Sequence, residues 1–110
     1  YFDLVAALRH AHLVLTDSGG IQEEAPTFGV PVIVLRDVTE RPEGVAAGVA
    51  ELAGTDAGIV VARARARRAG DRHSKTVANP YGDGRAGTRI ADVVVSALTG
   101  RPRETRDWDG

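Results

Sequence analysis

The segment LVLTDSGGIQEEAPTFGVPVIVLRD, Leu13 to Asp37, places a glycine pair, two adjacent carboxylates and a proline between two apolar runs. Gly19 and Gly20 lack Cβ atoms, so an anion's oxygens can reach the backbone amides there, and the Ser18 hydroxyl can donate one more hydrogen bond. Phosphate is the natural guest. The same three residues also read as a serine cap before a flexible turn. The loop is not a P-loop, because the Gly-Lys-Ser ending is missing, and it is not a GxGxxG fingerprint.

Glu23 and Glu24 are neighbours, hence about 100° apart on a helix, and cannot both face one ligand atom. Glu24, one turn past the glycines, is placed to accept hydrogen bonds from the vicinal hydroxyls of a ribose attached to the bound phosphate, a task for which dinucleotide-binding folds also use an acid. The plainer alternative is that both are solvated carboxylates complementing the start of a helix. Arg36 and Arg41, in RDVTERPE, are candidates for the charge of a diphosphate, which a guanidinium binds well. Arg41 is preferred, since Pro42 extends the backbone before it; a surface ion pair with Glu40 or Glu43 is the alternative.

Other constellations carry less. Asp17, Ser18 and a histidine lack the GxSxG elbow of a hydrolase. His10 and His12, two residues apart, diverge on a helix and make a poor metal pair; no metal or cofactor is expected. Arg63, Arg65, Arg67, Arg68 and Arg72 fan around a helix without aromatic interleaving and read as a solvated face, not a nucleic-acid surface.

These residues need a parallel sheet to position them. Leu13–Thr16 and Val30–Leu35 are unbroken apolar runs of the kind that parallel strands covered on both faces show, and the dozen residues between them suit a helical crossover. The glycine loop and RDVTERPE then share the carboxyl edge of the sheet, where α/β folds bind ligands. A first helix carries Leu4, Val5 and Leu8, with His10 and His12 near its negative end. The crossover helix starts near Gly20, is shortened or kinked by Pro26, and closes at Gly29. Pro42 opens a brief helix that Gly48 can end, VAELA is a weak third strand, and GTD caps a helix from about Ala57 to Arg68. NPYGDG leads into a last helix, Ala86 to Leu98, and residues 100–110 form a polar tail expected to fray.

The 110 residues suffice for one domain with a modest core. A net charge of -1 gives no general field for nucleic acid or an anionic membrane, so any anion is recognised locally. Without cysteine there are no disulfides, thiolate metal sites or cysteine nucleophiles, which suits a reducing, cytoplasmic compartment. The apolar runs are far shorter than the roughly 20 residues of a membrane span. The start, YFDLVAALRHAH, lacks an initiator Met and a signal-peptide pattern and reads as a helix already in progress, so the chain is expected to begin within a longer protein.

Taken together, DSGGIQEEAP, LRDVTERPE and NPYGDG, in this order, closely resemble the carboxyl-terminal part of the non-hydrolysing UDP-N-acetylglucosamine 2-epimerases, from Tyr1 to about Leu98. The resemblance implies a Rossmann-like three-layer α/β domain, residues 1–99, forming the second half of a glycosyltransferase-B-like fold. The family binds a UDP-sugar between two such halves, without a cofactor, as a cytoplasmic homodimer serving cell-envelope polysaccharides. It implies that Ser18, Gly19 and Gly20 hold the diphosphate, Glu24 the ribose, and that Arg41 reaches the substrate. Leu4 stands where the family often has a phenylalanine near the uracil, keeping an apolar contact but not aromatic stacking. The catalytic carboxylates and a phosphate-contacting histidine of the family belong to the missing amino-terminal Rossmann-like domain; none is matched here. A non-catalytic nucleotide-sugar-binding module and a fragment of a hydrolysing epimerase are the alternatives.

Overall fold

The computed structural model describes residues 1–70 and 78–109. Two compact units divide the chain, Tyr1–Pro80 and Tyr81–Gly110.

The first unit is the expected α/β arrangement. Helix α1 (Phe2–His10) leads to strand β1 (Val14–Thr16), helix α2 (Gly19–Glu24) and a 3-10 turn (Ala25–Phe28). Strand β2 (Val32–Val34), helix α3 (Pro42–Ala46), strand β3 (Ala50–Leu52) and helix α4 (Ala57–Ala69) follow. The three strands are parallel in the order β1-β2-β3, with Leu15, Ile33 and Glu51 in register. Pro26 acts as its chemistry requires: the α-helical bonding of α2 stops one residue before it, the chain tightens into the 3-10 turn, and Gly29 closes it in the left-handed conformation at φ 67°.

Side chains alternate across the sheet and sort its two faces. Val32 and Val34 pack with Leu8, Ala25, Val30 and Ala50, joined by Ile21 and Phe28, so α1, α2 and the 3-10 turn cover one face. Ile33 is fully buried on the other, where α4 lies against β2. Glu51, on that same face, accepts hydrogen bonds from Arg63 and from Arg67 Nε at 3.1 Å. Burial by itself would raise the Glu51 carboxyl's pKa, but the bonds from Arg67 and Arg63 outweigh it and hold it below its ordinary value. The sequence-based view of the arginine run as solvated therefore holds for exposed Arg65 and Arg68; Arg63 and Arg67, four apart and so on one face of α4, tie the helix to the sheet. Arg72 lies outside the described residues.

The two apolar runs differ from expectation in one respect. All three residues of β2 are buried, as a central parallel strand requires, but Leu15 in β1 is 45% exposed. The physical reason is position: β1 is an edge strand among the described residues, and Arg63 and Arg67 of α4 reach across to β3, leaving the Leu15 side of β1 uncovered.

The second unit is helix α5 (Ala86–Thr99) with the segments flanking it. Asp83 accepts from the Arg85 amide at 3.0 Å and takes both arms of Arg89, at 2.7 and 2.8 Å, and the Arg89 pairing holds its carboxyl well below the usual carboxylate range. The tail predicted to fray is instead tied back. Asp92 accepts from the Glu104 amide and from both the amide and hydroxyl of Thr105, Ser96 donates to Arg101 O at 2.6 Å, and Arg89 Nε donates to Arg106 O at 2.9 Å. Polar composition was misleading because the bonding partners lie on α5, 5 to 17 residues away along the chain. Among the described residues no helix is long and apolar enough to cross a membrane.

Candidate functional site

The carboxyl ends of β1 and β2 bring two loops together, both within the first unit. The first turns from β1 into α2. Thr16, the last residue of the strand and 7% exposed, accepts the Ser18 amide on its hydroxyl at 3.0 Å and so closes the turn from its base. Ser18 has extended backbone at the N-cap position, and its side chain accepts no cap bond from the helix amides. The alternative of a serine cap thus does not describe this loop, and the first helical bond is the Gln22 amide to Ser18 O at 3.2 Å. The amides of Gly19, Gly20 and Ile21 precede it, at the end of α2 where partial positive charge gathers.

The second loop runs from β2 to α3, residues 35–41. Its start is set by Gly54, which donates its amide to Arg36 O at 3.1 Å and has φ 63°. The positive φ calls for glycine here, and a Cβ would in addition lie 2.7 Å from Asp37 Oδ1, obliging that carboxylate to move. Of the GTD residues expected to cap α4, Asp56 does so, accepting from the Ile59 amide at 2.9 Å, whereas Gly54 seats the Arg36–Asp37 turn. The end of the loop is held by buried Gln22 of α2, 2% exposed: its Oε1 accepts from the Thr39 hydroxyl at 2.8 Å, and that same hydroxyl accepts the Arg41 amide at 3.0 Å.

Arg41 therefore starts from a fixed backbone, and its guanidinium reaches back over the glycine loop. A Cβ on Gly19 would lie 3.3 Å from Arg41 Nη2 and 3.4 Å from Cζ. Arg41 Nε donates to Glu23, and Nη1 is 3.6 Å from Glu40. Nη1 of Arg36, the other candidate, lies 4.0 Å from the same Glu40 carboxylate. Ser18, Gly19, Gly20 and Arg41 are thus brought to one place. Glu24 follows Gly20 by four residues on α2 and shares its side of the helix. Leu4 sits on α1, 39% exposed.

Glu23, Gln22, Thr39 and Thr16 were not singled out by sequence reasoning as parts of the site. Their signal is weak: Glu23 and Arg41 are 18 residues apart, and Gln22 and Thr39 are 17 apart. Only the pairing of the two strands brings them together.

A loop with backbone amides at a helix start, one arginine laid across them and a carboxylate one turn further on can hold a phosphorylated sugar such as that of a nucleotide. Among the described residues no group of three or more His, Asp or Glu side chains is placed to hold a metal ion. Gly19 and Gly20 should respond differently to an added methyl. Gly19→Ala has to push the Arg41 guanidinium, whereas on Gly20 the nearest heavy atom is Ser18 Oγ at 3.9 Å, an ordinary contact. With neither disturbing the backbone, both variants should fold, and Gly19→Ala should change the Arg41 Nε–H resonance in NMR spectra of the unliganded protein while Gly20→Ala leaves it in place.

The family model described as UDP-N-acetylglucosamine 2-epimerase matches residues 1–95. The UDP-N-acetylglucosamine 2-epimerase of Escherichia coli O157:H7 is 47% identical over 97 residues, covering 86% of this chain and 26% of its own length. Among solved structures, the MnaA–UDP co-structure from S. aureus superposes with a TM-score of 0.85 at 41% identity, covering 96% of this chain and 30% of that one. The UDP-GlcNAc 2-epimerase of Methanocaldococcus jannaschii, in complex with UDP-GlcNAc and UDP, gives 0.76 at 38% identity, with 86% and 25% covered. The chain spans about a quarter of the length of the curated relatives it matches.

Proposed function

The chain belongs to the UDP-N-acetylglucosamine 2-epimerase family, and from that premise we propose that it is the UDP-binding portion of an enzyme interconverting UDP-N-acetylglucosamine and UDP-N-acetylmannosamine. The observation that carries this reading is the Arg41 guanidinium lying against Gly19 at the mouth of the β1–α2 loop. Ser18, Gly19 and Gly20 hold the diphosphate with hydroxyl and amides, Arg41 neutralises it, and Glu24 accepts the ribose hydroxyls. Leu4 offers an apolar contact for the uracil.

The reaction is inversion at carbon 2. The proton on carbon 2 is removed and the bond from carbon 1 to the UDP oxygen breaks, giving a glycal and UDP. A proton then returns to the opposite face of carbon 2 as the UDP oxygen re-forms the bond to carbon 1. UDP must stay in place between the two steps, and the residues of this chain hold it there. The acid and base at the sugar belong to an amino-terminal Rossmann-like domain, which completes a glycosyltransferase-B-like cleft in a cytoplasmic homodimer that feeds cell-envelope polysaccharide synthesis. Nucleic acid and membrane are not partners.

The test is to follow UDP-N-acetylglucosamine with the full-length protein in deuterated water by proton NMR. The reading predicts UDP-N-acetylmannosamine carrying deuterium at carbon 2, with UDP not accumulating. Release of UDP together with free sugar identifies a hydrolysing epimerase instead, and UDP-sugar binding without conversion identifies a non-catalytic module.

A further inference from the structure

Adjacent residues of α2 grip one arginine at both ends. Gln22, through the Thr39 hydroxyl, fixes the Arg41 main chain, and Glu23 accepts a hydrogen bond from Arg41 Nε. With Nε held, Nη2 and Cζ are laid against Gly19 at the anion loop. Glu40 also approaches, 3.6 Å from Nη1, but its side chain is 78% exposed and lies between Arg41 and Arg36, so it constrains little.

We propose that Glu23 is a positioning residue for the diphosphate site: it orders the Arg41 guanidinium before substrate arrives and aims its Nη2 edge at the loop, with Gln22 securing the backbone beneath. This rests on the reading of Arg41 as a diphosphate ligand. A long side chain ordered in advance does not have to be immobilised on binding, and that ordering ordinarily costs part of the affinity. The sign of the effect separates this role from simple electrostatics. A carboxylate beside an anion site repels the anion, so removing Glu23 for its charge alone would strengthen UDP binding; removing the hold on Arg41 weakens it.

The experiment is calorimetry of UDP and of uridine with the full-length protein and its Glu23→Ala, Glu23→Gln, Arg41→Ala and Glu23→Ala/Arg41→Ala variants at fixed ionic strength. Glu23→Ala is expected to weaken UDP by about two- to tenfold, the range that ordering one long side chain represents, and to leave uridine unchanged. Glu23→Gln, which keeps an acceptor for Nε, should recover most of that loss. In the Arg41→Ala background Glu23→Ala should no longer weaken UDP, and relief of the repulsion can only tighten it. Unchanged or tighter UDP binding by Glu23→Ala, equal loss for UDP and uridine, or an undiminished effect in the Arg41→Ala background overturns the positioning role. If Arg41→Ala itself fails to separate UDP from uridine, the reading of Arg41 as a diphosphate ligand falls, a result distinct from the loss of Glu23's role alone.

Discussion

Replacing Arg41 by alanine is expected to weaken UDP roughly 10- to 100-fold in the full-length protein, because a hydrogen bond to a charged group contributes about 1.5–3 kcal/mol. Uridine, which lacks the diphosphate, should bind as before. Arg41→Lys should not restore UDP affinity, since an ammonium is a point charge and cannot hold Glu23 through one edge while presenting another against Gly19. Arg36→Ala is the comparison: Arg36 Nη1 lies 4.0 Å from Glu40, whose other oxygen is 3.6 Å from Arg41 Nη1, and no contact of Arg36 with the glycine loop matches that of Arg41, so its loss should weaken UDP much less than the loss of Arg41. Calorimetric titrations of the four proteins check this directly, and a shallower dependence of UDP affinity on salt in Arg41→Ala should accompany the loss.

The second large effect is expected at Glu24. A carboxylate accepting from two vicinal hydroxyls makes two charge-assisted bonds, so Glu24→Ala should weaken UDP by roughly tenfold or more while leaving inorganic pyrophosphate unchanged. Loss of both ligands in equal measure would remove the ribose assignment and make Glu24 a general support of the loop. Glu23→Ala and Glu24→Ala should therefore be distinguishable despite their adjacency. The first acts through Arg41 on the diphosphate and spares uridine, and the second acts on the ribose and spares pyrophosphate.

The two glutamates also mark how far the sequence alone could be taken. Glu24 could be proposed from the sequence because the task proposed for it depends on a local offset, four residues from Gly20 along one helix. Glu23 could not, because its partner lies 18 residues away across a strand crossover. Local chemistry likewise made the backbone legible. Pro26 and Gly29 predicted where the crossover helix would tighten and stop, Pro42 where α3 would begin, and the Gly54–Asp56 segment where α4 would be capped. What composition could not convey was which apolar run would be covered, since Leu15 and Ile33 are alike as residues and differ only in their strand's place in the sheet. The tail was misjudged for a related reason: its polar residues look solvated until α5 supplies Asp92, Ser96 and Arg89 as partners. In the site, Gln22 is a buried polar residue whose role becomes plain only with the Thr39 hydroxyl against it.

Catalysis and UDP retention are separable on this account, and the retention half resides in these 110 residues. The most direct measurement is a titration of UDP into the isotopically labelled chain, followed by amide and arginine Nε–H resonances up to millimolar ligand. Saturable shifts are predicted at Ser18, Gly19, Gly20, Ile21 and the Arg41 Nε–H, with the sheet residues of β3 undisturbed. Shifts confined to α5 and its flanking segments, or none at the glycine loop and Arg41 at millimolar UDP, would contradict the claim that this chain holds the nucleotide.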